Sequence, residues 1–206
     1  MYSKDIENMT REELIVEVRS MQRELRLVQL RRKVTPHFLF NSLSVAMSLV
    51  MQSPKKAVLF LRHLARMYRY LLSYGNEYHV PIEREIEMMQ QYYELMSLRH
   101  VDCISLEVSN DVKKLKGYPL PPLCLQGLLE NAIKHNTHTK EQPLKVFITK
   151  QYNNLCISNN IVPLVTETPS TKMGLAYMNE TMQLLFNRGI EIVNDGKSFI
   201  VKIPLI

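Results

Sequence analysis

A single histidine stands in the stretch VTPHFLFNSL, residues 34–43, between a proline and a run of large apolar side chains. Pro36 pushes Thr35 out of helical geometry, so a new helix is expected here, with Thr35 as N-cap, Pro36 in the first position and His37 in the second. At about 100° per residue, His37, Asn41, Ser44 and Ser48 fall on one narrow stripe. Phe38, Leu39, Phe40, Leu43, Val45, Ala46, Met47, Leu49 and Val50 cover the remaining circumference. The pattern predicts a helix buried nearly all round, except along a polar strip headed by the histidine. A core imidazole belongs on the apolar arc, and His37 is not there. A neutral imidazole is a nucleophile at about pH 7, and a helix N-terminus favours the neutral ring and attracts phosphate. Asn41, one turn on, can orient a water or a phosphoryl oxygen. Metal ligation lacks partners, because no other His, Cys or acid lies on the stripe.

The segments around His37 read as helices. Upstream, Leu14, Val18, Met21, Leu25 and Val28 alternate gaps of four and three, the seam of a coiled coil, and Thr10 with Glu13 forms a capping box. The His37 helix is predicted to run to about Gln52, where Ser53-Pro54 starts another. Ala57, Leu61, Leu64, Tyr68 and Leu71 mark that next helix. After the SYGNEYHVP loop, Ile82, Ile86, Met89, Tyr93 and Met96 mark a fourth. Consecutive antiparallel helices form a hairpin, which is half of a four-helix bundle if two chains associate.

From about residue 101 the pattern changes. CISLEVS alternates as a strand, LPPLCLQGLLENAIKHN reads as a proline-led helix, and LKVFITKQYNNLCISNN as two strands joined at Asn153-Asn154. A proline- and threonine-rich loop precedes a helix over about 172–187, and a hairpin around Asp195-Gly196 ends the chain. The expected fold class is α+β: a helical dimerisation region, residues 1–100, followed by an α/β sandwich domain, residues 101–206.

Composition narrows the function classes. With 206 residues, 46% apolar and 22% charged, the chain has ample material for a core. The net charge of +6 invites a nucleic-acid partner, but the basic residues are dispersed and no nucleic-acid motif accompanies them, so none is expected. Cys103, Cys124 and Cys156 are odd in number and lack metal-ligand spacing, which suggests reduced thiols and a cytoplasmic setting. No signal peptide or membrane-spanning run is visible.

Taken alone, ENAIKH (130–135) reads as a polar helix end with Lys and His near the C-terminal dipole. Paired with PHFLFN in this order and separation, it resembles the sensor histidine kinases of the LytS/YehU type. LARMYRYLL and the helix ending YYELMSLRH resemble the segments that family places between the two motifs. The resemblance covers roughly residues 30–206. It implies that His37 accepts the γ-phosphoryl group of ATP and that ENAIKH is the N-box of a GHKL (Bergerat-type) ATP-binding domain. Asn131 would then hold Mg²⁺, with Lys134, His135 and Asn136 along the nucleotide phosphates and lid. The expected partners are a second copy of the chain and a response regulator, whose aspartate would take the phosphoryl group. Any membrane attachment would come from an upstream segment.

Three positions depart from that family's pattern. An Asp-x-Gly motif usually binds the adenine amino group, whereas here CISNNIVP offers Asn159 and Asn160. The glycine-rich motif survives as Gly174 and Leu175, with Lys172 in place of the first glycine and Tyr177 in place of the asparagine. Thr181 stands where an arginine is common. Either the lid binds ATP in a variant way or the nucleotide site has decayed. The readings are therefore a catalytic kinase or a non-catalytic dimeric scaffold. A basic membrane-surface binder would explain only the N-terminal charges.

Overall fold

The computed structural model describes Thr10, Glu12, Val16 and residues 36–163 and 173–206, with residues 36–40 and Met173 described in their backbone alone. The expected coiled-coil seam, the Thr35 cap, the side chain of His37, most of the proline- and threonine-rich loop and Lys172 lie outside the described residues. Contacts divide the chain into residues 1–34 and a second compact unit, Thr35–Ile206.

That unit begins with helix α1 (Pro36–Gln52), broken from α2 (Pro54–Tyr74) at Ser53 by Pro54 in the first turn. A two-residue strand β1 (Val80–Pro81) leads into α3 (Ile82–Arg99). Then come β2 (Ile104–Val108), the short α4 (Asn110–Lys113), β3 (Pro119–Leu120) and α5 (Cys124–Lys134). The chain ends with β4 (Leu144–Gln151), β5 (Asn154–Asn160), α6 (Met173–Phe186), β6 (Glu191–Asn194) and β7 (Ser198–Pro204). The architecture is α+β, as the pattern predicts.

Five strands form one sheet in the order β2-β4-β5-β7-β6. β2 and β4 are parallel, joined by a crossover that contains α5, and the other pairs are antiparallel. One face is apolar through Ile104, Val108, Leu144, Val146, Ile148, Leu155, Ile157, Val201 and Ile203. The period of two turns Ser105, Lys145 and Lys202 to the other face. Asp195 closes the final hairpin by accepting the N–H groups of Ser198 at 2.6 Å and Lys197 at 2.9 Å. Gly196 there takes φ +81°, open to glycine at no steric cost. The β4–β5 turn falls at Tyr152-Asn153, one residue earlier than expected.

The helical seams differ from the sequence pattern in two places. In α2 the buried stripe is Ala57, Phe60, Leu64, Met67 and Tyr70, while Leu61 is exposed and Tyr68 half-buried. Among the described side chains of α1, residues 41–52, only Ser42 and Ala46 are buried, with Val45 and Leu49 half-buried. Over residues 41–52, the expectation of a helix buried nearly all round is therefore not met within one chain. Leu43, Met47, Val50 and Met51 face outward beside Asn41, Ser44 and Ser48. Among the described residues, α2 is the neighbour on one side of α1, and Leu43, Met47, Val50 and Met51 on the opposite side are exposed.

α3 packs against both α2 and α5. Among the described residues no helix is long and apolar enough to cross a membrane. Cys103, Cys124 and Cys156 are free thiols.

Candidate functional site

α5 enters the structure at an unusual backbone position. Leu123, its N-cap, takes a left-handed conformation with φ +65° and has no side chain that can cap the helix. The cap comes instead from Glu85 of α3. Its Oε1 accepts the N–H of Leu123 at 2.7 Å and its Oε2 that of Leu125 at 3.0 Å, while the hydroxyl of Tyr70 in α2 donates to Oε1. Burial pushes the fully buried Glu85 carboxyl above the usual range, and the hydrogen bonds from Tyr70, Leu125 and Leu123 pull the other way. Burial and the neighbouring Glu85 charge raise the Tyr70 hydroxyl in turn. Three helices thus meet on one carboxyl, which fixes where α5 starts.

From that start the 3.6-residue period decides which side chains face which way. Cys124, Leu125, Leu128, Leu129 and Ala132 are buried. Asn131, Lys134, His135 and Asn136 come out along a cavity of about 700 Å³, walled by Ile157, Asn159, Phe199 and Val201 of the sheet and by Gly174, Leu175 and Asn179 of α6. Every nucleotide-site residue expected from the sequence lines this one cavity. The size and mostly apolar walls, with a few convergent polar groups, are those of a small-molecule site.

The individual side chains have distinct surroundings. Gly174 abuts Asn131, since a Cβ at 174 would stand 3.3 Å from Asn131 Nδ2. Asn136 is buried and donates from Nδ2 to the carbonyl of Ala132 at 2.8 Å while its Oδ1 accepts the N–H of Val162 at 2.8 Å. It ties the end of α5 to the chain leaving β5. Asn159, also buried, donates from Nδ2 to the carbonyl of Asn160 at 2.7 Å. Its Oδ1 has no partner among the described residues. The other asparagine, Asn160, does not line the cavity; it accepts Lys145 N–H at 2.7 Å and donates to the carbonyl of Pro143 at 3.2 Å. Burial, then the Lys134 charge, lowers the pKa of His135. Thr181 is buried, with its hydroxyl given to the carbonyl of Tyr177 at 2.9 Å.

Sequence reasoning missed Asn179 and Asn194. Asn179 accepts the N–H of Ile190 at 2.9 Å, and a Cβ on Gly189 would come within 2.6 Å of that same Oδ1. Asn194 accepts the N–H of Gly196 at 3.0 Å. Neither position carries a sequence signal beyond its residue type.

Asn41 lies elsewhere. It lines a second, smaller cleft of about 260 Å³ on the other side of α5, and Lys134 borders both hollows. His37 is one helical turn before Asn41 in α1. Among the described residues no three His, Cys, Asp or Glu side chains cluster to hold a metal ion. A Mg²⁺ ion that keeps water and phosphate oxygens needs only one or two protein oxygens, and the carboxamide of Asn131 fits that need.

Residues 25–104 match the family model described as Histidine kinase. The chain is 32% identical over 147 residues to the sensor protein kinase HptS of Staphylococcus aureus strain USA300, covering 70% of this chain. It spans 28% of the length of that relative, and the same figures hold for the protein of strain MRSA252. Of solved structures, the histidine kinase AdeS of Acinetobacter baumannii aligns at a TM-score of 0.41, with 16% identity over 82% of this chain and 98% of that one. Histidine kinase ThkA in complex with response regulator protein TrrA aligns at 0.42, with 16% identity over 97% of this chain and 68% of that one. On sequence, the chain is similar to sensor histidine kinases.

Proposed function

We propose that this chain is the kinase core of a dimeric sensor histidine kinase of the LytS/YehU type, which transfers the γ-phosphoryl group of ATP to His37 and then to an aspartate of a response regulator. One observation carries the reading: Asn131, Lys134, His135 and Asn136 of one short stretch line a single cavity with Asn159 and Gly174, which are distant in sequence. In this reading residues 101–206 form a GHKL-type ATP-binding domain and residues 1–100 the dimerisation and phosphoacceptor region. Asn131 holds Mg²⁺, Lys134 and His135 meet the phosphates, and Asn159 offers an acceptor to the adenine amino group. Asn136 braces the site. The purine lies among Ile157, Ile192, Phe199 and Val201. Such a site contributes by positioning the nucleotide and neutralising charge, which is most of what phosphoryl transfer needs.

The homodimer is supported by the open apolar side of the helical hairpin. Leu43, Met47 and Val50 on α1 recur at gaps of four and three, and Val58, Leu61 and Leu72 on α2 are exposed too. Paired hairpins would bury both rows in a four-helix bundle.

A second reading, a non-catalytic dimeric scaffold, is favoured by Thr181, which places no cation at the position where the family resemblance expects an arginine. Calorimetric titration with MgATP separates the two. The kinase reading expects saturable, Mg²⁺-dependent binding that Asn131→Ala abolishes while the circular dichroism of the fold is unchanged. No binding by the wild type supports the scaffold; tight binding that survives Asn131→Ala contradicts the assigned role of Asn131.

A further inference from the structure

α5 stands between two hollows, and the proposed nucleotide site takes up only the larger one. Asn41 from α1, Tyr92, Arg99 and His100 from α3, and Glu130 and Lys134 from α5 all line it. Arg99 and Lys134 are exposed cations, and neither forms an ion pair among the described residues. Gln126 donates to Glu130 at 2.8 Å. His100 is edge-on to His138, with Nδ1 3.3 Å from His138 Nε2. Its pKa is pushed down to about 4, by burial first and then by His138 and Arg99, so it adds no charge near neutral pH. Two cations against one carboxylate leave the cleft positive. Its acceptor-side wall is the helix that carries His37 one turn before Asn41. Its other wall ends at Lys134, which also borders the nucleotide cavity.

We propose that the terminal phosphate of bound ATP, extending round the C-terminal end of α5 at Lys134, enters this cleft while still bonded to ADP and meets His37 of the same chain there, with Arg99 as the catalytic cation. The inference rests on the histidine-kinase reading above. In the step, the bond from the γ-phosphorus to the bridging oxygen breaks and its electron pair leaves with ADP. An imidazole nitrogen supplies the pair for the new N–P bond, and the proton on the other ring nitrogen passes to water. Charge on the transferring group is what needs a partner. α6 offers none at Thr181, where the buried hydroxyl is given to the Tyr177 carbonyl. Arg99 supplies the cation from α3 instead. Because α1, α3 and α5 of one chain build the cleft, each chain labels itself.

Two variants test this on the full chain with γ-labelled ATP and Mg²⁺. Arg99→Gln is expected to slow labelling of His37 by about 100-fold with the MgATP affinity unchanged, and Arg99→Lys to recover most of the rate. Chains carrying His37→Gln and Asn131→Ala, co-expressed under different tags, are expected to give no label on the Asn131→Ala chain. Wild-type labelling rates from Arg99→Gln, or strong labelling of the Asn131→Ala chain by its companion, overturn the proposal. A wild type that binds ATP but is never labelled overturns the kinase reading itself. That failure is visible without either variant.

Discussion

The carboxamide of Asn159 donates to the carbonyl of the next residue, Asn160, at 2.7 Å, which fixes which of its two ends faces the cavity. With Nδ2 committed, Oδ1 is presented as an acceptor, suited to an amino group and not to a carbonyl. The site should therefore prefer ATP to GTP by tenfold or more, on the order of 1–3 kcal/mol for a buried group left unpaired. Asn159→Asp sets a carboxylate oxygen against the Asn160 carbonyl, so it is expected to lower stability without tightening ATP binding. Competition titration with both nucleotides checks this. Tighter ATP binding by Asn159→Asp would show that the amide orientation does not matter.

Glu85 joins α2, α3 and the start of α5, although it makes no wall of either hollow. Glu85→Ala strips the N–H groups of Leu123 and Leu125 of their acceptor and leaves the buried Tyr70 hydroxyl unpaired. The expected cost is about 3 kcal/mol of stability, read as a lower midpoint in urea. Glu85→Gln retains a carbonyl acceptor and should lose less. Equal stability of Glu85→Ala and wild type would mean that α5 is held by its apolar face alone.

Met51 and Leu72 are each 87% exposed on the helical hairpin. In a dimer that buries this side, Met51→Glu with Leu72→Glu should shift light scattering at micromolar concentration from dimer to monomer. As exposed sites they should alter the stability of the monomer by no more than about 0.5 kcal/mol each. A wild type that scatters as a monomer would remove the four-helix bundle from the account.

The helices and most strands were legible because their periods run over many residues, and the α5 motif because short-range phasing places Asn131 and His135 on one side. The choice between Asn159 and Asn160 was also within reach. Alternation from Leu155 and Ile157 puts Asn159 on the core face and Asn160 on the other. Two-residue strands such as β1 and β3, paired Val80 to Leu120 and Pro81 to Pro119, have no period to read. α1 misled because an apolar circumference signals burial without saying whether the covering surface comes from the same chain. The role of Glu85 depends on partners about 15 to 40 residues away. Its one local signal is a charged residue in phase with Ile82, Ile86 and Met89.

Direct labelling shows most plainly whether His37 is a phosphoacceptor. The 206-residue chain incubated with γ-labelled ATP and Mg²⁺ should acquire phosphate that is stable to base and lost in acid, located at His37 by peptide mass spectrometry. His37→Gln should remove the label with the fold and the MgATP affinity unchanged. Binding of MgATP without any such label on the wild type, with a response regulator present or absent, would contradict the account.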